Sequence, residues 1–364
     1  MRTRFIGVMT LALALTGGVI GSAWAGQKGQ MVYTMSNAPS GNAVLAFEQH
    51  SDTLIPIGSF PTQGAGSGGG LGNQGAIVLS DDGETLFVVN AGSDEVSVFH
   101  VHDHGLTLTD KVSSGGVRPI SVAVHEEWVY VLNAGGTGNI TGFMLTSRHT
   151  LKLIPGSTRS LSGPATAPAQ IEFNPDGDTL VVTEKATQII DTYTVGEDGV
   201  AAGPVSQPSS GVTPFGFSFN KRGVLIVSEA FGGTANASAV SSYTLKNSAL
   251  TLRSDSVPDF QSAACWIVIT KNGKIAYTSN TGSNNISSYR IGRDGTLTLL
   301  MAVAASTGAA PIDMALNRNS KLLYVLNATA RSIEAFRVDR GSGELTFLTS
   351  VSGLPAGVNG LVAQ

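Results

Sequence analysis

The sequence predicts an all-β fold, and within that class a seven-bladed β-propeller. Two observations carry the prediction. A short apolar β-run closing on Asn or Glu recurs about every fifty residues, seven times along the 364-residue chain. Between the runs lie Gly-centred hairpin turns, and 45 glycines with 13% charged residues suit a turn-rich sheet protein.

The seven runs are 32–37, 86–90, 129–133, 180–184, 225–229, 276–280 and 323–327. They close on Asn37, Asn90, Asn133, Glu184, Glu229, Asn280 and Asn327. Around the second run the whole unit is legible. Residues 75–80 read as an inner strand, Asp81-Asp82-Gly83 as a hairpin turn with Gly where φ is positive, and 85–90 as the second strand. Residues 96–101 supply a third strand and 106–112 an outer one, after the turn Asp103-His104-Gly105. Similar turns return as Pro175-Asp176-Gly177, Glu197-Asp198-Gly199, Lys221-Arg222-Gly223, Lys271-Asn272-Gly273 and Arg293-Asp294-Gly295. Strands apolar on both faces fit blades that each pack between two others.

The chain enters mid-blade at 31–37 and finishes, within 354–364, on an inner-type strand that lacks a blade. That terminal strand is expected to join the N-terminal strands and close the ring, leaving no free edge. In such a ring the inner strands start, and the second strands end, on one face. The closing residues and the inter-blade loops then surround one channel mouth, the default site for a small-molecule ligand or substrate.

Arg2 and Arg4, an apolar stretch from Phe5 to Ile20 and Ala23-Trp24-Ala25 read as a secretory signal peptide with its cleavage site. Residues 26–364 are left as a single propeller domain. The apolar stretch is broken by Gly and falls short of the roughly 18 residues a membrane span needs, and no other stretch reaches that length. The chain is therefore expected to be exported, periplasmic or extracellular, with no membrane span. A formal net charge of −4 argues against a nucleic-acid partner. The one cysteine, Cys265, cannot form an internal disulfide and reads as small core filler.

Function should lie where one repeat departs from the others. Glu184 and Glu229 replace Asn in neighbouring blades. Two carboxylates at one mouth can serve as general base and acid, each raising the other's pKa. Alternatively each holds its own loop, as Asn does, or pairs with a local cation such as Lys185. The five Asn residues suit turn-holding, and Asn133 and Asn280 are also candidate substrate contacts. Arg118, in the loop entering blade three, either grips a carboxylate or phosphate in bidentate fashion or is a plain surface arginine. Gln170, Trp266 and Asp313 share an inner-strand position held elsewhere by Ala76, Ser121 and Gly216. They either line a pocket or pack on the neighbouring blade.

Two further features read as structural. His100 and His102 share a strand face, but far from the mouth, so no metal site is expected there. The loop 62–75 matches G-x-G-x-x-G twice, at Gly64-Gly66-Gly69 and Gly70-Gly72-Gly75, without the strand-to-helix setting of a dinucleotide site. No cofactor is expected. The loop's length suits a mobile flap over the mouth.

Ala167-Pro168-Ala169-Gln170-Ile171-Glu172-Phe173-Asn174-Pro175-Asp176-Gly177, the following run to Glu184, and outer strands such as Gly295-Thr296-Leu297-Thr298 resemble the seven-bladed lactonase-type propellers. That family includes the propeller form of 6-phosphogluconolactonase and the fungal carboxymuconate cyclase. The resemblance covers nearly the whole chain after the signal peptide and implies a lactone hydrolase. It also implies a catalytic Arg-His after the Pro of the blade-four inner strand, working with a Glu on the next strand. Here those positions are Ala169 and Gln170, with the Glu kept as Glu184. Blade three has Ser121 where the family often has another His.

Two functions remain open. As a hydrolase, the chain would open a sugar or carboxylic lactone, with Glu184 or Glu229 activating water and Arg118, Asn133 or Gln170 holding the substrate. As a non-catalytic secreted propeller, it would bind a small molecule, a glycan or a protein through the mouth. A metal-dependent lactonase of the other propeller type would need a tight carboxylate cluster, which the sequence lacks.

Overall fold

Strands apolar on both faces must be covered on both sides, and a ring of radiating sheets does this without leaving an end uncovered. The computed structural model, which describes residues 30–103 and 105–364, shows seven antiparallel sheets in that arrangement. The expected signal peptide and His104 lie outside the described residues. Blade two is Ile77–Leu79, Thr85–Asn90, Glu95–His102 and Gly105–Ser113. Blade three repeats the plan, except that its outer strand is broken into Leu151–Leu153 and Arg159–Ser160. Pro155-Gly156 interrupts it, since Pro lacks a donor and Gly156 takes a positive φ.

The second strands form the core. Thr85–Asn90, Thr179–Glu184, Val224–Glu229 and Ile275–Asn280 are buried along their whole length. Each fully buried Val, Leu or Ile there contributes about 1.5–3 kcal/mol. Outer strands such as Ala249–Pro258 are largely exposed. The inner strands start buried and end half-buried, as in Pro214–Phe219 and Ala264–Ile269.

A β-bulge recurs near the start of the inner strands. Pairing slips between Pro119 and Ser121, Pro168 and Gln170, Ala264 and Trp266, and Pro311 and Asp313. Each bulge leaves one residue out of the ladder and re-aims the next side chain.

The ring closes as expected. Asn359–Ala363 is the innermost strand of blade one, paired with Gln30–Met35. Thr34 donates its hydroxyl to the Gly360 carbonyl at 2.6 Å, and the Gln364 N–H donates to Met31 at 2.9 Å.

Candidate functional site

Six of the seven closing residues are the last of their strands and turn their buried side chains onto neighbouring loops and third strands, whereas Asn37, two residues past Gln30–Met35, donates to Ser67 and to the Gly69 carbonyl of the Gly-rich loop. Asn90 donates to Ser97, Asn133 to Asn139, Asn280 to Asn285 and Ser287, and Asn327 to Ser332. Each of these acceptors lies on the third strand of its own blade. Glu229 also reaches its third strand, through Ser241, whereas Glu184 is held by a loop and a turn. Glu229 accepts from the Gly211 N–H at 2.8 Å, from the Ser256 hydroxyl at 2.6 Å and from the Ser241 hydroxyl. Glu184 accepts from the Ser162 N–H at 3.0 Å, from the Ser162 hydroxyl and from Thr187. Both side chains are fully buried. The carboxylates therefore hold the loops entering blades four and five, and Glu184 makes no ion pair with Lys185 among the described residues.

Gly lies opposite several closing residues for a steric reason. A Cβ at Gly64, Gly116 or Gly211 would overlap the side chain of Asn90, Asn133 or Glu229. Burial raises the Glu229 pKa, against hydrogen bonds from Ser241, Ser256 and Gly211 that lower it. Burial also pushes Asp191, which shares the Ser162 N–H with Glu184, up to about 7. Ser206 opposes that rise, and the Glu184 carboxyl adds to it.

The shared inner-strand position builds latches between blades. The Gln170 amide clasps the blade-five backbone, accepting from Phe217 N–H at 2.7 Å and donating to its carbonyl at 2.9 Å. Ser121 accepts from Ile171 N–H at 3.2 Å. Asp313 accepts from Leu361 N–H at 3.0 Å across the ring closure, and burial holds its carboxyl well above the usual range. Blade five has only Gly216 there, and the side chain that clasps blade six comes from elsewhere. Gln74 donates to the Ile267 carbonyl at 2.9 Å and accepts from its N–H at 3.1 Å. A Cβ on Gly216 would overlap the Gln74 amide oxygen and the Cys265 carbonyl.

Gln74 belongs to the Gly-rich loop, which enters the channel. Asn73 donates to the Ile120 carbonyl of blade three and accepts at its own carbonyl from Trp266 Nε1 at 2.7 Å. The Gln74 N–H reaches the Ala169 carbonyl of blade four at 3.1 Å. Leu71 and Asn73 are buried. In place of the flap expected from its length, the loop is a plug pinned to blades three, four and six.

Two cations stand at the plugged mouth. Six positions just before the inner strands have positive φ: Gly75, Arg118, Ala167, Thr213, Ala263 and Ala310. Arg118 is the one charged member of this set. Its backbone is fixed by a 2.6 Å bond from its N–H to Asp94 and by Ala134 N–H on its carbonyl. Its exposed guanidinium has no hydrogen bond or ion pair among the described residues. Lys185, half-buried, donates Nζ to the Pro168 carbonyl at 2.8 Å and to the Gly72 carbonyl of the plug. It lies 4.8 Å from the centre of the Phe215 ring, which tilts against Trp266 at 5.1 Å. Burial lowers the Lys185 pKa to about 8, with Cys265 opposing and Arg118 adding to the drop.

The sequence reading named Lys185 only as a partner for Glu184. A stronger signal was present one residue past the seven closing positions, which reads Ala38, Ala91, Ala134, Lys185, Ala230, Thr281 and Ala328. A lysine among five alanines is the largest single departure in that ring.

Volume and chemistry part company elsewhere. A surface depression of about 670 Å³ is lined by Phe60, Val101, His102 and Leu106 on the outer edge of blades one and two. His100 there stacks on His149 of blade three at 4.0 Å and meets His102 at 4.2 Å. Among the described residues no group of three or more His, Cys, Asp or Glu is arranged to hold a metal ion.

A ring of seven antiparallel blades is the architecture of one class of propeller enzymes and binding proteins. The profile of the family described as lactonase, 7-bladed beta-propeller, matches residues 23–145 and 234–359, and the chain belongs to that family. The unmatched stretch between them carries Gln170, Glu184, Lys185 and Glu229. No curated protein matches the sequence. Among solved structures, a Lactobacillus plantarum protein is 19% identical with a TM-score of 0.75, covering 92% of this chain and 99% of its own. The periplasmic gluconolactonase of Pseudomonas aeruginosa is 15% identical with a TM-score of 0.71, covering 91% and 98%. A candidate 6-phosphogluconolactonase of Bacteroides fragilis is 19% identical with a TM-score of 0.73, covering 92% and 98%. At such identities the likeness carries the fold.

Proposed function

We propose that the chain is an exported lactonase-type hydrolase that opens lactones bearing a carboxylate or phosphate at the plugged mouth. Lys185 carries this reading. A neutral amine has two N–H donors, matching the Gly72 and Pro168 carbonyls, and one lone pair left to take a proton. With its pKa near 8, Lys185 is partly neutral at physiological pH and can act as general base. Water attacks the lactone carbonyl while Lys185 takes its proton. The ring C–O bond then breaks, the proton passes to the departing ring oxygen, and a hydroxy acid leaves. Arg118, without a protein partner among the described residues, is placed to bind the substrate's anionic group or the oxyanion. Glu184 and Glu229 keep the loops in place.

The family, and the solved gluconolactonase among the similar folds, support lactone chemistry and, in the latter case, a periplasmic setting. Among the described residues no helix is long and apolar enough to cross a membrane. Export is tested by N-terminal sequencing of the protein recovered outside the cytoplasm, which should begin at Gly26. The chemistry is tested on a panel of anionic and neutral lactones. Lys185→Met should lower kcat about 10²–10⁴-fold, a typical contribution of a general base. Arg118→Ala should weaken anionic substrates more than neutral ones. Wild-type kcat should rise with pH through about 8, because the base must lose its proton. A second reading, a binding platform without turnover, draws on Gln170 being locked in its clasp where the family has His. Saturable binding of sugar acids with no hydrolysis of any lactone would establish it.

A further inference from the structure

Asn73 and Gln74 are bound to three different blades, and the plug's Gly72 carbonyl holds the half-buried amine of Lys185. Trp266 Nε1, the Ile120 and Ala169 carbonyls and both backbone groups of Ile267 hold these residues. Blade five makes room for them with Gly216, whose substitution by any residue with a Cβ would collide with Gln74. We infer that the Gly-rich segment is a positioning element, a fixed plug whose Gly72 carbonyl seats the Lys185 amine and whose bulk keeps water from beneath it. Gln74 and Trp266 are thus positioning residues, acting on the reaction through Lys185. The inference rests on the proposed role of Lys185 for its functional meaning, although the seating itself does not depend on that role.

The ring of latches gives the plug its rationale. At this level Ser121, Gln170 and Asp313 reach from their own blade to the next, whereas the blade-five to blade-six junction, with Gly216 in that place, takes its clasp from a distant loop. Borrowing it draws the loop backbone across the channel to blade four, where Lys185 follows the strand Thr179–Glu184. Leu71 adds an apolar anchor buried with the blade-two and blade-three core. The charged or titratable groups facing Lys185 are Arg118 from the blade-three loop and Cys265 from blade six. The neighbouring Glu184 is turned toward Ser162. Burial under the plug, rather than a nearby charge, is the leading cause of the lysine's depressed pKa.

The test reads Lys185 directly, without turnover. The full-length protein is labelled with 13C at lysine Cε, the Lys185 signal is assigned by its loss in Lys185→Met, and its shift is followed with pH. In wild type the midpoint should fall near 8. Trp266→Phe removes the indole N–H together with part of the ring, and Gln74→Ala removes the amide clasp. Each should move the midpoint up by at least one unit toward the ordinary 10.5, a tenfold or greater loss of neutral amine below it. Gly216→Ala should do the same by expelling Gln74. Should one variant fail to fold, the others decide. Folded variants whose Lys185 still titrates near 8, or a wild type titrating near 10.5, would overturn the inference. A protein that opens no lactone yet shows the shift supports the plug while refuting the hydrolase.

Discussion

Buried carboxyls are the most unusual residues of this chain, because most of them have hydroxyl and amide partners and no cation. Burial raises Asp191 to about 7 and Glu172 to about 8, and it raises Glu229, Asp259 and Asp313 as well. A group raised on folding holds a proton that the unfolded chain gives up near pH 4. Its contribution to stability is complete below the unfolded value and is lost as pH rises through the folded one. Thermal stability should therefore fall between about pH 5 and pH 8, as followed by calorimetry. Asp191→Asn, which keeps the size and cannot ionise, should flatten that slope. An unchanged slope would place the titrating group elsewhere.

At this scale the sequence was only partly legible. Glu184 and Glu229 stood out as replacements for Asn, but their type did not reveal which way they point. Direction depends on Ser162, Ser241 and Ser256, residues 12–27 positions away, and no local pattern links them. Gln170, Trp266 and Asp313 were singled out as one position, and the structure brings them to blade junctions and the plug. Arg118 lies in the loop entering blade three, and Lys185 departs from its six counterparts, a signal that shows only when all seven repeats are aligned.

Elements were read more securely. The second strand expected at 85–90 is Thr85–Asn90, a continuous apolar run bounded by turns at Gly83 and Gly92. The inner strand expected at 75–80 shrinks to Ile77–Leu79, because Gly75 at positive φ ends the plug and delays the ladder. The loop 62–75 was visible as an excess of Gly, but its path is set by contacts to blades three, four and six that lie up to 193 residues away. Glycines in the inter-blade loops carry a prediction of their own. Gly211→Ala drives a methyl into the Glu229 carboxylate, and overpacking of this kind costs about 1–3 kcal/mol. Chemical denaturation should show the loss. The double variant Gly211→Ala with Glu229→Gln should not restore it, because Gln fills the same space.

Across the whole molecule the repeat governed everything that could be foreseen, ring closure included. Asn359–Ala363 completes blade one, and Asp313 ties that strand to blade seven. Deleting residues 355–364 would strip the innermost strand from blade one and leave Gln30–Met35 with an open edge. The truncated protein should unfold or aggregate, as judged by circular dichroism and size exclusion. A soluble variant with wild-type melting behaviour would show that the closure is dispensable.

The closing strand also sets a clock. Synthesis runs from the N-terminus, so Asn359–Ala363 is made after every segment it joins. A nascent chain can assemble blades two to seven one at a time, but it cannot become a ring until Asn359–Ala363 has left the ribosome, so full cooperativity arrives only with that strand.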